Sequence, residues 1–127
     1  MPDTTERKPT PSIPTVIRIG AVSYRVATDH DSWVRIEHAT QSKGFYGHAQ
    51  HTDAVIYLNP DAAPDVTRLT LWHEILYCLG EVTMGSPDWR HLPEDKGDAE
   101  EAVVRRWEHP TLAVLRDNPD LVAYLTA

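Results

Sequence analysis

The stretch TLWHEILYCLG, residues 70 to 80, decides how this 127-residue chain is interpreted. On a helical wheel of residues 69 to 82, drawn at about 100° per residue, the polar side chains share an arc of roughly 100°. They are Thr70, His73, Glu74, Tyr77 and Glu81. Apolar residues fill the rest of the wheel, whereas a surface helix usually has the opposite proportions. The pattern therefore predicts a helix surrounded by protein, whose single polar stripe faces either a cleft or a thin strip of solvent.

The spacing of His73, Glu74 and Tyr77 is close to the His-Glu-x-x-His pattern of zinc hydrolases. In that pattern, histidines four residues apart bind one zinc ion, and the glutamate takes a proton from the zinc-bound water. These residue types predict His73 as a zinc ligand and Glu74 as the general base. Tyr77 stands in the place of the second histidine, and its phenol, with an ordinary pKa of about 10, can bind only if the metal drives its ionisation. Alternatively, Tyr77 hydrogen-bonds to His73 or Glu74 without any ion.

The composition limits the partners and the location of the protein. A net charge of −7 and a pI near 5.4 argue against a nucleic-acid or anionic-membrane surface, because both require clustered Lys and Arg. No apolar run approaches the ~20 residues of a membrane span, and the first residues have no signal-peptide pattern. A single cysteine excludes an internal disulfide, as is typical of the cytoplasm. We therefore expect a cytoplasmic protein whose partner is neither a nucleic acid nor a membrane.

The first half of the chain is predicted to form strands. Residues 1 to 14 hold four of the ten prolines and are expected to be a flexible tail, which leaves 15 to 127 as one domain. VIRIGAVSYRVA predicts a hairpin that turns at Gly20. KGFYGHAQ and AVIYLN predict two more strands, the second of them central because it is so apolar. DSWVRIEHAT is ambiguous between a connector and a short strand.

The second half is predicted to be helical. We expect the His-Glu helix to begin at Pro64 or Asp65 and to stop near Gly80. Asp98 is a plausible N-cap for the next helix, which Pro110 ends or kinks. A last short helix has Pro119 at its first position. Strands followed by helices indicate an α+β domain, in which a small antiparallel or mixed sheet packs on the His-Glu helix and two to three others.

TLWHEILYCLG resembles the zinc-binding helix of zincin-like metallopeptidases of the ImmA/IrrE type, which phages and mobile elements encode. The ending LRDNPDLVAYL is similar to that of related phage proteins, so the resemblance covers roughly residues 15 to 125. It implies a zinc-dependent hydrolase that cleaves peptide bonds with a metal-bound water, in the host cytoplasm or the virion. Because Tyr77 replaces an expected ligand, the alternative is a pseudoenzyme, a degenerate zincin-like module that binds protein or serves as a structural phage protein.

The resemblance also implies a third zinc ligand from a glutamate on the following helix. On a wheel of residues 99 to 108, Glu100 falls on the apolar face, whereas Glu101 groups with Arg105 and Glu108 on the outer face. We therefore expect Glu100 to complete the set with His73 and Tyr77. Its alternative role is that of an ordinary carboxylate in a first helical turn.

Other chemistry-bearing residues are expected to be ordinary. Surface positions explain each of the four remaining candidate histidines more simply than metal binding does. They are His48, His51, His91 and His109. If one of them replaces a ligand, His48 or His91 is favoured, because both lie in segments that can overhang a cleft. Cys78 points to the apolar side of its helix and is expected to be a buried, inert thiol.

Overall fold

The computed structural model describes residues 11 to 84 and 92 to 127, of which Met84 is described only in its backbone. This part of the chain contains four strands and four helices. They are β1 (Val16–Ile19), β2 (Val22–Ala27), α1 (His30–Thr40), β3 (Gly47–Gln50), β4 (Val55–Leu58), α2 (Pro64–Met84), α3 (Lys96–Asp117) and α4 (Pro119–Leu125). The predicted α+β class is confirmed.

The strands form one mixed sheet in the order β1-β2-β4-β3. β1 and β2 are an antiparallel hairpin, β2 runs parallel to β4, and β3 runs antiparallel to β4. Gly20 makes the hairpin turn with φ +59°, a conformation that costs glycine little because it has no Cβ. The predicted hairpin, the second strand pair and the central position of β4 are confirmed. β3 is an edge strand, so one of its sides has no neighbouring strand among the described residues.

α2 packs on the sheet and supplies four of the buried core residues. Its fully buried residues are Leu71, Ile75, Cys78 and Leu79. The sheet contributes Ile17, Ile19, Tyr24, Ile56 and Leu58, and the C-terminal helices add Val114 and Leu121. Buried aliphatic side chains of this kind typically contribute 2 to 5 kcal/mol each, by comparison with alanine. The packing of α2 against the sheet is therefore a large contribution to the stability of the domain.

α1 is a helix where the sequence was ambiguous between a connector and a short strand. The Asp29 carboxylate accepts a hydrogen bond from the backbone N–H of Ser32, at 2.9 Å, and so caps the first turn. Trp33 and Ile36, three residues apart, are buried, and Trp33 packs against Phe45 with ring centroids 4.6 Å apart. The cap and this two-residue apolar face explain the helix, and both lie within the segment that the sequence left undecided.

α2 runs through Gly80 to Met84, so the prediction that Gly80 stops it is wrong. A glycine costs a helix about 1 kcal/mol relative to alanine, which tertiary packing can outweigh. Here Val82, in the last turn, is half-buried, and its Cγ1 lies 3.3 Å from where a Cβ on Gly20 would be. Contact with the β1–β2 turn therefore keeps the end of α2 helical.

α3 begins earlier than predicted and does not end at Pro110. Its N-cap is Asp95, whose carboxylate accepts a hydrogen bond from the N–H of Asp98 at 3.0 Å, so Asp98 is a first-turn residue and not the cap. The helix continues through Pro110 to Asp117. α4 starts with Pro119 in its first turn, as predicted.

Asn118 joins the corner between α3 and α4 to the first strand. Its side-chain amide donates to the carbonyl oxygens of Val114 and Arg18, both at 2.8 Å, and its Oδ1 accepts from the Arg18 N–H at 2.8 Å. The residue is buried, and each of these bonds satisfies a group that water does not reach. The C-terminal helices are thereby held against the edge of the sheet at β1.

The predicted tail is described only from residue 11 onward; residues 1 to 10 lie outside the described part. Pro14 is buried and Ile13 packs against the core, so the end of the predicted tail belongs to the domain. No helix in the described ranges is long and apolar enough to cross a membrane.

Candidate functional site

The His-Glu helix passes very close to the edge strand. A Cβ on Gly47 would lie 2.5 Å from Cγ2 of Thr70 and 3.2 Å from Cγ of Glu74, so only glycine fits at this position. Side chains two apart share a face of a strand, so Ala49 also faces α2. Two small residues on β3 therefore allow α2 to lie against the sheet edge.

The pairing of β3 with β4 shows which backbone groups of β3 point toward its free edge. The N–H of Asn59 donates to the carbonyl oxygen of Tyr46 at 2.8 Å, so this pair belongs to the hydrogen-bonded set. Opposed residues of an antiparallel ladder alternate between bonded and non-bonded pairs. In the register that joins Gly47 to Leu58 and Ala49 to Ile56, both β3 residues fall in the non-bonded set. Their backbone groups therefore point away from β4, toward the free edge.

Glu74 lies beneath this edge and is only 8% exposed. Burial raises the pKa of its carboxyl above the ordinary value, because the charged form loses hydration. The charge of His73 and a hydrogen bond from the backbone of Ala49 act in the opposite direction and lower the pKa in part. Glu74 is therefore a desolvated carboxyl group that faces the outward amide of Ala49.

His73 and Tyr77 lie on the outer side of the same helix. Their rings are in edge-to-face contact, with centroids 5.1 Å apart and planes at 63°. His73 is exposed, and Tyr77 is 62% exposed. The predicted polar stripe is thus divided, because Glu74 is enclosed by β3 while its two neighbours in the motif face outward. The three side chains therefore do not share one cleft, and the exposed part of the stripe agrees with the alternative that it faces solvent.

Glu100 is exposed, so the prediction that it faces inward is wrong. Its carboxylate lies 3.9 Å from Nζ of Lys96, four residues earlier, in an exposed ion pair. Glu101 pairs with Arg105 at 2.9 Å, which confirms the solvated face predicted for it. Within α3 only Val114, near the C-terminal end, is buried, and the residues of the first turns are exposed or half-buried. A wheel shows which side chains share a face, but it cannot show how far along the helix that face is covered.

A second polar group lies where the sequence indicated only core. The hydroxyl of Tyr24, on β2, is 3.0 Å from Nδ1 of His51, just after β3. Tyr24 is also hydrogen-bonded to the thiol of Cys78, and Glu81 lies near enough to affect both. Burial is the main cause that raises the pKa of Tyr24 and of Cys78 to about 12 each.

The predicted inert thiol is confirmed, since a thiol with so high a pKa is not a nucleophile at neutral pH. The sequence does carry one signal for buried polar side chains here. Glu74 and Cys78 are four residues apart, which places both on the inward side of α2. Tyr24 could not be found from the sequence, because its alternation in β2 is equally typical of core.

The other histidines are dispersed. His48 is half-buried on β3, where burial, together with the charge of His51, lowers its pKa. Its ring meets Phe45 edge to face, with centroids 6.4 Å apart. His109 is exposed within α3, and His91 lies outside the described residues.

The expected ligands His73, Tyr77 and Glu100 do not meet the requirements of a zinc site. A catalytic zinc site uses three protein ligands and one open position. In the part of the chain that the structure describes, no group of three or more His, Cys, Asp or Glu side chains is arranged to hold a metal ion. Only His73 and Tyr77 of the predicted set are neighbours, and Glu100 contacts Lys96. The described side chains therefore do not fit a zinc site, and the ligand set of His73, Tyr77 and Glu100 stays a prediction.

Comparison with protein-family models, with curated proteins and with solved structures gives no match to this chain.

Proposed function

We propose that this chain is a non-catalytic, zincin-like module that binds a protein through the outer face of its His-Glu helix. One observation carries the proposal: Glu74 is enclosed beneath β3, whereas His73 and Tyr77 face outward. A zinc hydrolase needs its general base and its ligands to converge on one water molecule. In this chain the side chains of the motif diverge.

The order of elements supports the zincin-like part of the proposal. The resemblance implies a hairpin, a strand pair, the His-Glu helix, a glutamate-bearing helix and a short final helix. The chain has these elements in this order, with α1 added between the hairpin and the strand pair.

The binding surface is the outer row of α2, formed by Leu69, His73 and Tyr77. Leu69 is 70% exposed and Tyr77 62% exposed, and successive members are four residues apart, so they lie one above the other. Exposed carboxylates, Asp65 and Glu81, continue the row at its two ends. Aromatic residues are enriched among interface anchors, and charged residues form interface rims. We expect a partner protein with an apolar pocket for Leu69 and Tyr77, and with basic residues around that pocket that face the carboxylates.

Zinc content separates this proposal from the metallopeptidase that the sequence predicts. We expect the wild-type protein, purified without chelators, to retain no stoichiometric zinc by elemental mass spectrometry and to cleave no peptide. Tyr77→His should retain more zinc than wild type, because it creates two histidines four residues apart. If the wild-type protein holds one zinc per chain and Glu74→Gln abolishes its hydrolysis, the chain is a peptidase and our proposal fails.

Site-specific crosslinking tests the binding surface. A photo-reactive phenylalanine analogue at position 77 should form one discrete protein adduct in cells. The same analogue at position 16, on the far edge strand where Val16 is 51% exposed, is the matched control and should not form that adduct. Leu69→Asp should remove the adduct at position 77 without changing the fold. An adduct that forms equally from both positions, or that survives Leu69→Asp, contradicts the surface.

A further inference from the structure

A cleft of about 420 Å³ opens beyond the C-terminal ends of the two parallel strands. Thr28 follows β2 and Asn59 follows β4, and both line the cleft. Thr67 and Arg68 from the first turns of α2, and Tyr124 from α4, form its other wall. This site is separate from β3 and uses no residue of the His-Glu motif.

Contacts with Tyr124 hold the side chain of Arg68 in place. Its Nε donates to the carbonyl oxygen of Tyr124 at 3.1 Å, and its guanidinium carbon lies 5.6 Å from the centre of the Tyr124 ring. One terminal nitrogen pairs with Asp65 at 2.9 Å, but that carboxylate is 95% exposed, so the pair is weak. Within the described residues, the other terminal nitrogen, Nη2, makes no hydrogen bond. The side chain is therefore positioned, only 23% exposed, and still able to donate.

The charged side chain of the cleft is basic, although the protein carries a net charge of −7. Among the described residues, the lining includes Arg68 and no aspartate or glutamate. Ile13 and Leu58 provide apolar wall, while Thr28 and Asn59 add neutral polar groups at the rim. Binding sites for small molecules typically combine apolar walls with a few polar groups that orient the ligand.

We propose that this cleft binds the carboxylate of a ligand that has an apolar body. The guanidinium of Arg68 receives the carboxylate, since its planar N–H groups match the two oxygens, and the aliphatic walls contact the body. The carboxylate can belong to a small organic acid or to the C-terminus of a peptide with an apolar last residue. The proposal does not depend on the function of the outer row of α2.

Phenylacetate and phenylacetamide are suitable probes, because they have the same shape and only the first is charged. In saturation-transfer NMR we expect wild-type protein to bind phenylacetate about tenfold more tightly than the amide, as a hydrogen-bonded charge implies. Arg68→Met should remove this difference. Arg35→Met is the matched control, because Arg35 is exposed on α1, lies outside the lining of the cleft and donates to the hydroxyl of Ser32 at 3.1 Å.

A second variant tests the cleft without touching the Arg68–Tyr124 contact. Ala62 is half-buried in the lining and Ala63 is exposed outside it. Ala62→Phe should fill the cleft and abolish phenylacetate binding, whereas Ala63→Phe should leave it unchanged. Equal binding of acid and amide, or binding that survives both Arg68→Met and Ala62→Phe, overturns the proposal.

N-acetyl-Gly-Phe and its C-terminal amide identify the source of the carboxylate. If the free peptide binds more tightly than phenylacetate and its amide does not bind, the ligand is a peptide C-terminus. If phenylacetate binds as tightly as the free peptide, the ligand is a small acid. Both results uphold the carboxylate site and differ only in its natural occupant.

Discussion

The two faces of α2 show how differently one helix can be used. The inward row, with Ile75, Glu74 and Cys78, is enclosed by the sheet and by β3. The outward row, with His73 and Tyr77, faces away from it. His73 and Glu74 are neighbours in sequence and about 100° apart on the helix, which is enough to place them in opposite environments. Residues that are adjacent in a motif therefore need not share a site. The neighbouring element, here β3, decides which of their side chains is buried and which is exposed.

Truncation of the inward row should have the largest effect. Ile75→Ala should lower the free energy of unfolding by about 2 to 5 kcal/mol, because a fully buried side chain is removed and a cavity remains. Urea denaturation followed by circular dichroism measures this loss. A change below 1 kcal/mol would show that α2 is not packed as described.

A methyl group at the contact between α2 and β3 should have the next largest effect. Gly47→Ala places a Cβ 2.5 Å from Cγ2 of Thr70 and should cost about 1 to 3 kcal/mol through overpacking. Thr70→Ser removes that Cγ2, so the double variant should recover part of the loss. A double-mutant cycle of the free energies of unfolding gives the coupling, and a value near zero is inconsistent with the contact.

The buried carboxyl of Glu74 should give a stability that depends on pH. Because burial raises its pKa in the folded state, the unfolded chain loses this proton at lower pH than the folded protein does. Its ionisation therefore destabilises the fold as the pH rises above 4.5, the ordinary value for the group.

Glu74→Gln, which keeps an acceptor for the Ala49 amide, should be more stable than wild type at neutral pH, and this advantage should vanish at pH 4. Parallel urea titrations between pH 4 and 8 measure the difference, which would be independent of pH if Glu74 were solvated. Glu108→Gln, at an exposed position on α3, is the control.

The outward row should have the smallest effect on stability. Leu69→Ala and Tyr77→Ala should each change the free energy of unfolding by less than about 0.5 kcal/mol, because both side chains are largely exposed. The edge-to-face contact of Tyr77 with His73 adds a few tenths at most. If Tyr77→Ala destabilises the protein as strongly as Ile75→Ala does, the division of α2 into two faces is wrong.

The elements that were predicted correctly are those whose own residues indicate the structure. Gly20 and the alternation of the strands predict the hairpin, and Pro119 predicts the start of α4. α1 was missed although its cap, Asp29, and its apolar pair, Trp33 and Ile36, are local as well. This apolar face holds only two residues, and it is buried by tertiary contacts, among them that of Trp33 with Phe45.

The sequence alone determined the class of the fold, the strand pairs and the presence of a long apolar helix with polar residues on one arc, because hydrophobic periodicity and turn residues act over a few neighbours. Only the tertiary structure decided that Glu74 is enclosed, that His73 and Tyr77 are exposed, and that Glu100 faces solvent. Those outcomes depend on where β3 crosses α2 and on how far α3 extends past the core. Such distances join residues far apart in the chain, and no local pattern records them.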